Sequence, residues 1–320
     1  MLLGVLGGVF VATVGTGGWV GWRFWRLSRD PMGEAGGVRL VYSVNVDRSW
    51  EPGHRRRDVV RRTADAVRQR IEPYNRYAAV ADRRGNIEVD LPTVGQKLPV
   101  DVLQTQIARS GRLAFQLVDD GSAFMRNAAN HLHRLSLPGV AVQPESWTGA
   151  SGESHEDLFL AGAQKEQLVA AIEAITTVEA VPEGHELLLE QRESDWRTYY
   201  AFSESHLDNA DLRSADTSWA QDTGRPEVAI DLTPEGARKL LDLTDRSLGR
   251  KMAIVFEGRV MMAPVIISRI PNGRVRITLA GGRDAFVVFQ EAKDLVAVLR
   301  FLPLPAPIDL LTAERVVPRR

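Results

Sequence analysis

His131 and His133, two residues apart, are the first pair in the chain whose types could hold a metal ion. On a strand they would share a face. Their neighbours, RNAANHLHRL, follow a helical pattern, on which such a pair diverges. Ser151 and His155 stand close together in a glycine-rich stretch, the raw material of a nucleophile and its base. A triad also needs an orienting acid on a rigid scaffold, and this stretch offers none. There is no G-x-x-x-x-G-K-[ST] phosphate loop and no G-x-S-x-G nucleophile elbow. With no cysteine, disulfides and thiolate metal sites are excluded. Carboxylates are scattered rather than paired. Neither catalysis nor a cofactor or metal site is expected, and binding chemistry remains. In KMAIVFEGRVMMAPVI, Lys251–Ile266, two methionines stand side by side, Met261 and Met262. Methionine suits surfaces that accept many apolar sequences. Adjacent strand residues point to opposite faces, so both are buried only where both faces are covered. Met261 and Met262 are the candidate polypeptide-binding residues.

A second constellation is basic. In RRRDVVRRTADAVRQRIEP, Val60, Ala64, Val67 and Ile71 fall at helical spacing, and the other face carries Arg55, Arg56, Arg57, Arg61, Arg62, Arg68 and Arg70. Such a face can bind anions or lipid headgroups. The chain as a whole has 40 basic against 41 acidic side chains, a net charge of −1. That balance gives no pull toward nucleic acid, so the face is expected to be a solvated one.

The positioning elements divide the 320 residues into an anchor and a body. Met1–Trp22 carries no charge and is long enough to cross a bilayer, which takes about 20 apolar residues. Trp19, Trp22 and Trp25 would form an interfacial belt at one end. Residues 1–29 are therefore expected to be a single transmembrane helix. Arg23, Arg26 and Arg29 follow it, and the positive-inside bias would hold that side in the cytoplasm. VRLVYSVNVD, NIEVDLP and GRLAFQLVD alternate as strands, separated by helical stretches. The pattern strand, helix, strand, helix, strand points to α+β layering. From Gly121 to about Gly162 the pattern loosens, and LPGVAVQPESWTGASGESHED reads as loops. The last third is clearer. PEVAIDL is a strand. Thr233 caps the next helix with Pro234 at its first position, Ala237, Leu240, Leu241 and Leu248 face inward, and Gly249 ends it. A hairpin turns at Glu257-Gly258. Asn272-Gly273 reads as the next hairpin turn. A closing helix buries Val288, Ala292, Leu295, Val296 and Leu299.

Several motifs, in order, resemble the SecD family, accessory subunits of the bacterial Sec translocase. They are GEAGGVRLVYSVNVD, YYAFSESHLDNADLRSAD, TGRPEVAIDLTPEGARKLLDLT, KMAIVFEGRVMMAPVI and EAKDLVAVLRFLPLPAPIDLL. The likeness covers most of Gly33–Pro318 and is weakest over 122–164. It implies an α+β protein with a ferredoxin-like base subdomain at 30–119, completed by 304–320, and an inserted head subdomain at 120–303. It further implies a body on the periplasmic side of the inner membrane, against the arginine count. The partners would be an unfolded secretory polypeptide and Sec translocase or SecD/SecF-type membrane subunits, and no nucleic acid. RFLPLP departs from the family's small, flexible helix end, and Glu257 stands where an aspartate is usual. The sequence stops where the family continues into membrane helices that carry its proton-coupling carboxylates. The expectation is an export accessory that holds translocating polypeptide without a proton-driven motor of its own. The alternative is an envelope scaffold that docks a folded partner.

Overall fold

In a computed structural model, the structure describes residues 30–49, 53–135, 137–149, 151–221, 223–278, 284–301 and 303–318. The expected anchor, residues 1–29, lies outside the described residues. Among them, no helix is long and apolar enough to cross a membrane. The chain forms two compact units, 1–110 with 303–320, and 111–302.

The first unit opens with a short helix, α1 (Pro31–Ala35), then β1 (Gly37–Val44), α2 (Arg56–Ile71), β2 (Ala79–Arg83), β3 (Asn86–Pro92) and α3 (Val100–Ala108). The second unit runs β4 (Leu113–Leu117), α4 (Ala123–Leu135), β5 (Val140–Thr148), β6 (Ser154–Gly162), α5 (Lys165–Val178), β7 (His185–Gln191), β8 (Trp196–Phe202) and β9 (Leu207–Asp208). It continues with β10 (Leu212–Trp219), β11 (Pro226–Leu232), α6 (Pro234–Arg246), β12 (Met252–Phe256), β13 (Arg259–Met262), β14 (Arg274–Thr278) and α7 (Ala285–Leu299). The chain then returns to the first unit as β15 (Ile308–Val316).

The sheet of the first unit has the order β15-β1-β3-β2, antiparallel throughout. With α2 between β1 and β2 and α3 after β3, this is the βαββαβ ferredoxin-like topology that the resemblance implied. Alternate residues Leu40, Tyr42 and Val44 face a core that also holds Val60, Val67 and Ile71 of α2 and Leu103 and Ile107 of α3. The third strand expected in this base, around Leu113–Leu117, is not part of it. It pairs with β12 and β9 in the second unit. Alternation shows that a segment is a strand, but it does not say which sheet the strand joins.

In the second unit an eight-stranded sheet has the order β5-β6-β8-β7-β13-β12-β4-β9. Just beyond β4, Val118 bridges Ala201 of β8, and the Asp119 N–H donates to the Tyr200 carbonyl at 2.9 Å. Strands β8, β7, β13, β12 and β4 thus close into a five-stranded ring. Its inner wall carries Ala114, Val118, Leu188, Tyr199, Ala201, Ala253, Val255 and Val260. The alanines leave room for the larger side chains to meet in so narrow a space. The outer wall packs in two places. Phe115, Ile254 and Phe256 meet α6, α7 and the separate antiparallel sheet β10-β11-β14. Leu160 and Tyr200 meet α4 and α5. Strands covered on both faces read as unbroken apolar runs such as MAIVF.

The local expectations for the last third hold in most places. The Thr233 side chain accepts from the Gly236 N–H at 3.1 Å, and Pro234 occupies the first helical position. Val288, Ala292, Leu295, Val296 and Leu299 are all buried. Leu248 is not inward-facing: it lies past the end of α6 and is 44% exposed. The Asn272-Gly273 turn leads into β14, but β14 pairs with β11 and not with β13. The loop reading of 137–157 is also overturned, since this stretch enters the nine-pair hairpin β5–β6, while the helical pattern read at 126–135 falls within α4.

Candidate polypeptide-binding surface

The hairpin carrying Met261 and Met262 turns at Glu257 and Gly258, with φ of 52° and 76°. Two consecutive positive φ angles make a turn whose twist matches the strands, and the glycine meets that need without strain. Glu257 does not, and it is held from both ends. Its N–H donates to the Arg112 carbonyl at 2.9 Å, and its Oε1 accepts from the Gly111 N–H at 3.0 Å.

Beyond the turn Val260 pairs with Val255, but Met262, not Met261, pairs with Ile254. Two residues of β13 oppose one of β12, which is a β-bulge. The bulge breaks the expected alternation. Met261 and Met262 do not divide between the two faces: both are half-buried against the core formed with α6 and α7. The chain after the bulge stays apolar. Ile266 is buried, Ile270 packs on the same core, and Ile267 is 70% exposed. Met261, Met262 and Ile267 thus follow one another along a short segment that offers apolar surface to solvent.

The other candidates separate. His131 lies on α4 and meets Glu179 at 3.2 Å, and the described residues contain no cluster able to hold a metal ion. His155 meets Glu153 at 3.3 Å at the exposed hairpin tip, where Ser151 donates its own N–H to Glu153. Arg70, assigned to the solvated face of α2, is buried instead. Its guanidinium donates to the carbonyls of Ile107 at 3.2 Å and Ser110 at 3.1 Å, closing the end of α3.

Sequence reasoning missed a second polar constellation, at one end of the ring. Glu145 of β5 accepts from both guanidinium nitrogens of Arg197, at 3.0 and 2.7 Å, and from Lys251 Nζ at 2.7 Å. The Lys251 backbone N–H reaches Asp120 at 3.1 Å, and Tyr199 Oη donates to Glu190 at 3.0 Å. Aromatic faces back the cations: Phe159 lies 3.9 Å from the Arg197 guanidinium and Trp147 lies 3.5 Å from Lys251 Nζ. Burial pushes the Glu145 carboxyl up, but the hydrogen bonds from Arg197 and Lys251 outweigh it and hold the group down at about 2. Burial raises the carboxyls of Asp120, Asp157 and Glu190. The signal was present in the alternation Glu145, Trp147 and His155, Asp157, Phe159. It was hidden because the covered face of this hairpin carries charge where a covered face normally carries apolar residues. Within this constellation Glu145 bonds both cations directly.

Comparison with known proteins agrees with this architecture. Residues 186–306 match the family model of the SecDF P1 head subdomain. The chain is similar to SecD proteins. The protein translocase subunit SecD of Anaeromyxobacter dehalogenans is 28% identical over 309 residues, covering 88% of this chain and 48% of that protein. SecD of Desulfurispirillum indicum is 43% identical over 93 residues, 29% of this chain and 17% of its own length. The chain spans about half the length of the SecD relatives that it matches over most of its own. Among solved structures, one described as a membrane component SecDF that enhances protein export aligns with a TM-score of 0.51. It is 21% identical, over 86% of this chain and 98% of that one. SecDF in a super-membrane-facing form aligns with a TM-score of 0.53 over 92% of this SecD-like chain and 34% of that one. These structural likenesses establish a shared mixed α+β fold.

Proposed function

We propose that this chain is an accessory protein of Sec-dependent protein translocation, and that the 111–302 unit holds translocating polypeptide on the periplasmic side of the inner membrane. Its partners are unfolded secretory polypeptide and Sec translocase or SecD/SecF-type membrane subunits. One observation carries the reading. Within the stretch matched to the SecDF P1 head, the bulge sets two flexible methionines half-open beside the exposed Ile267. Flexible thioether chains repack around many apolar sequences, as a surface handling unrelated polypeptides must.

Replacing both residues, Met261→Ser and Met262→Ser, is expected to weaken capture of an unfolded secretory substrate roughly three- to tenfold, the loss of ~1 kcal/mol of apolar contact. Because both side chains are only half-buried, the melting temperature should fall by no more than a few degrees. Capture measured by crosslinking and found unchanged, or a chain that no longer folds, removes these residues from the role.

A further inference from the structure

The hairpin β5–β6 is attached to the ring in an unusual way. Its two strands pair with each other over nine residues. Toward the ring, however, β6 pairs with β8 only at Ala161–Arg197 and Gly162–Trp196. The near end is secured by apolar contact, since Leu160, Val140 and Val142 pack with α4 and α5. The far half has no ladder to the ring. Its polar attachments are two side chains of β5 and Asp157 of β6, whose carboxyl accepts from the Gly121 N–H. Glu145 takes hydrogen bonds from Arg197 and Lys251 together. Trp147 donates Nε1–H to the Gly249 carbonyl at 3.0 Å, and its ring covers the Lys251 ammonium. Beneath this half the side chains of Arg197 and Lys251 are only 8% and 4% exposed.

Glu145 is therefore the one anion that both buried cations share. Without its charge, two partly uncompensated cations would remain in a dry site, a costly arrangement that hydration relieves. The paired root of the hairpin is independent of Glu145 and would stay in place. The hairpin residues, Glu145 and Trp147 among them, lie outside 186–306, the stretch that the SecDF P1 head model matches, whereas Arg197 and Lys251 lie inside it.

We propose that the far half of β5–β6, residues 143–158, is a strap latched by Glu145. Latched, it seals Arg197 and Lys251; with the Glu145 bonds broken, it lifts about its root and opens both cations to solvent. This device is independent of the polypeptide-holding reading, and its test does not use capture.

The test is chemical modification of lysine amines in the full chain, read residue by residue by mass spectrometry. Lys97 and Lys293 serve as internal references. In Glu145→Gln the modification rate of Lys251 is expected to rise at least tenfold, with the references unchanged and the melt still cooperative. A Lys251 as protected in this variant as in the native chain overturns the strap. If the variant does not fold, the native chain decides. Lys251 must then react faster than the molecule unfolds globally, and reaction only at the global unfolding rate overturns the proposal.

Acid gives an independent check. The charged and titratable groups facing Glu145 are Arg197 and Tyr199 on β8, Glu190 on β7, Lys251 before β12, Asp120 after β4 and Asp157 on β6. The folded Glu145 value lies below its ordinary 4.5. Its contribution is therefore complete above that value and is lost as pH falls toward about 2. Asp120, Asp157 and Glu190 are shifted the other way, so protonating them lessens repulsion around Glu145. Radical footprinting of Trp147 should accordingly stay level or fall between about pH 7 and pH 5 and rise only below about pH 4. Increased oxidation between pH 7 and pH 5 means that the strap is held by something other than Glu145, and overturns the proposal.

Discussion

Arg70 shows how far one side chain can depart from the face its spacing assigns to it. Of the seven arginines from Arg55 to Arg70 that the spacing sets on one face, six are exposed or half-exposed, while Arg70 is 2% exposed. It crosses to the end of α3 and donates to the Ile107 carbonyl, which the helix itself leaves unpaired, and to the Ser110 carbonyl just beyond. Arg70→Met should leave the Ile107 carbonyl without its donor, while Ser110 keeps the Leu304 N–H, at a cost of about 3 kcal/mol for a charge-assisted group. Thermal denaturation should show this as a fall of roughly 10 °C in the transition of the first unit. Arg61→Met removes an exposed pairing with Asp58 and should shift the same transition by a degree or two at most. The bulge at Met261 belongs to the same scale. Spacing alone puts neighbouring strand residues on opposite faces, and a single extra residue placed both methionines against one core.

Among the elements, those governed by local chemistry were legible. The Thr233-Pro234 start of α6, the Glu257-Gly258 turn and the apolar stripe of α7 each follow from residues within a few positions of one another. Thr233→Ala should cost about 1 kcal/mol, read as an earlier denaturant midpoint for the second unit. What could not be read was pairing at a distance. β4 lies 90 or more residues from β9 and 135 or more from β12, the two strands it joins, and no local pattern names its partners. β5–β6 was hidden by composition. Glycine and serine at its tip suggested loops, and its covered face is charged because Arg197 and Lys251 come to it from far along the chain. The site was legible in part: the sequence singled out Met261 and Met262, but the alternation around Glu145 was masked by charge on its covered face and by the glycines beside it.

At the scale of the molecule, the ferredoxin-like unit draws its four strands from 37–92 and 308–316 alone. Replacing 111–302 with a short flexible linker should therefore leave a cooperatively folding unit, and 111–302 expressed alone should also fold. Two independent melts, each near its transition in the full chain, are the expected result; failure of either piece would mean that its core is completed by the other. The periplasmic placement is tested separately. The chain has no native cysteine, so Ser151→Cys at the exposed hairpin tip supplies a unique thiol. An impermeant thiol reagent should label it in intact spheroplasts; labelling only after lysis would put the body in the cytoplasm and remove the export role. The ring itself carries a constraint of parity. Five strands cannot alternate direction all the way round, so one neighbouring pair must run the same way. That seam falls between β7 and β13, the only parallel pair of the ring, and it is held by just Arg259–Leu189 and Val260–Glu190. A closed sheet with an odd count thus carries one seam where neighbouring directions agree, and here that seam runs directly beside the methionine bulge.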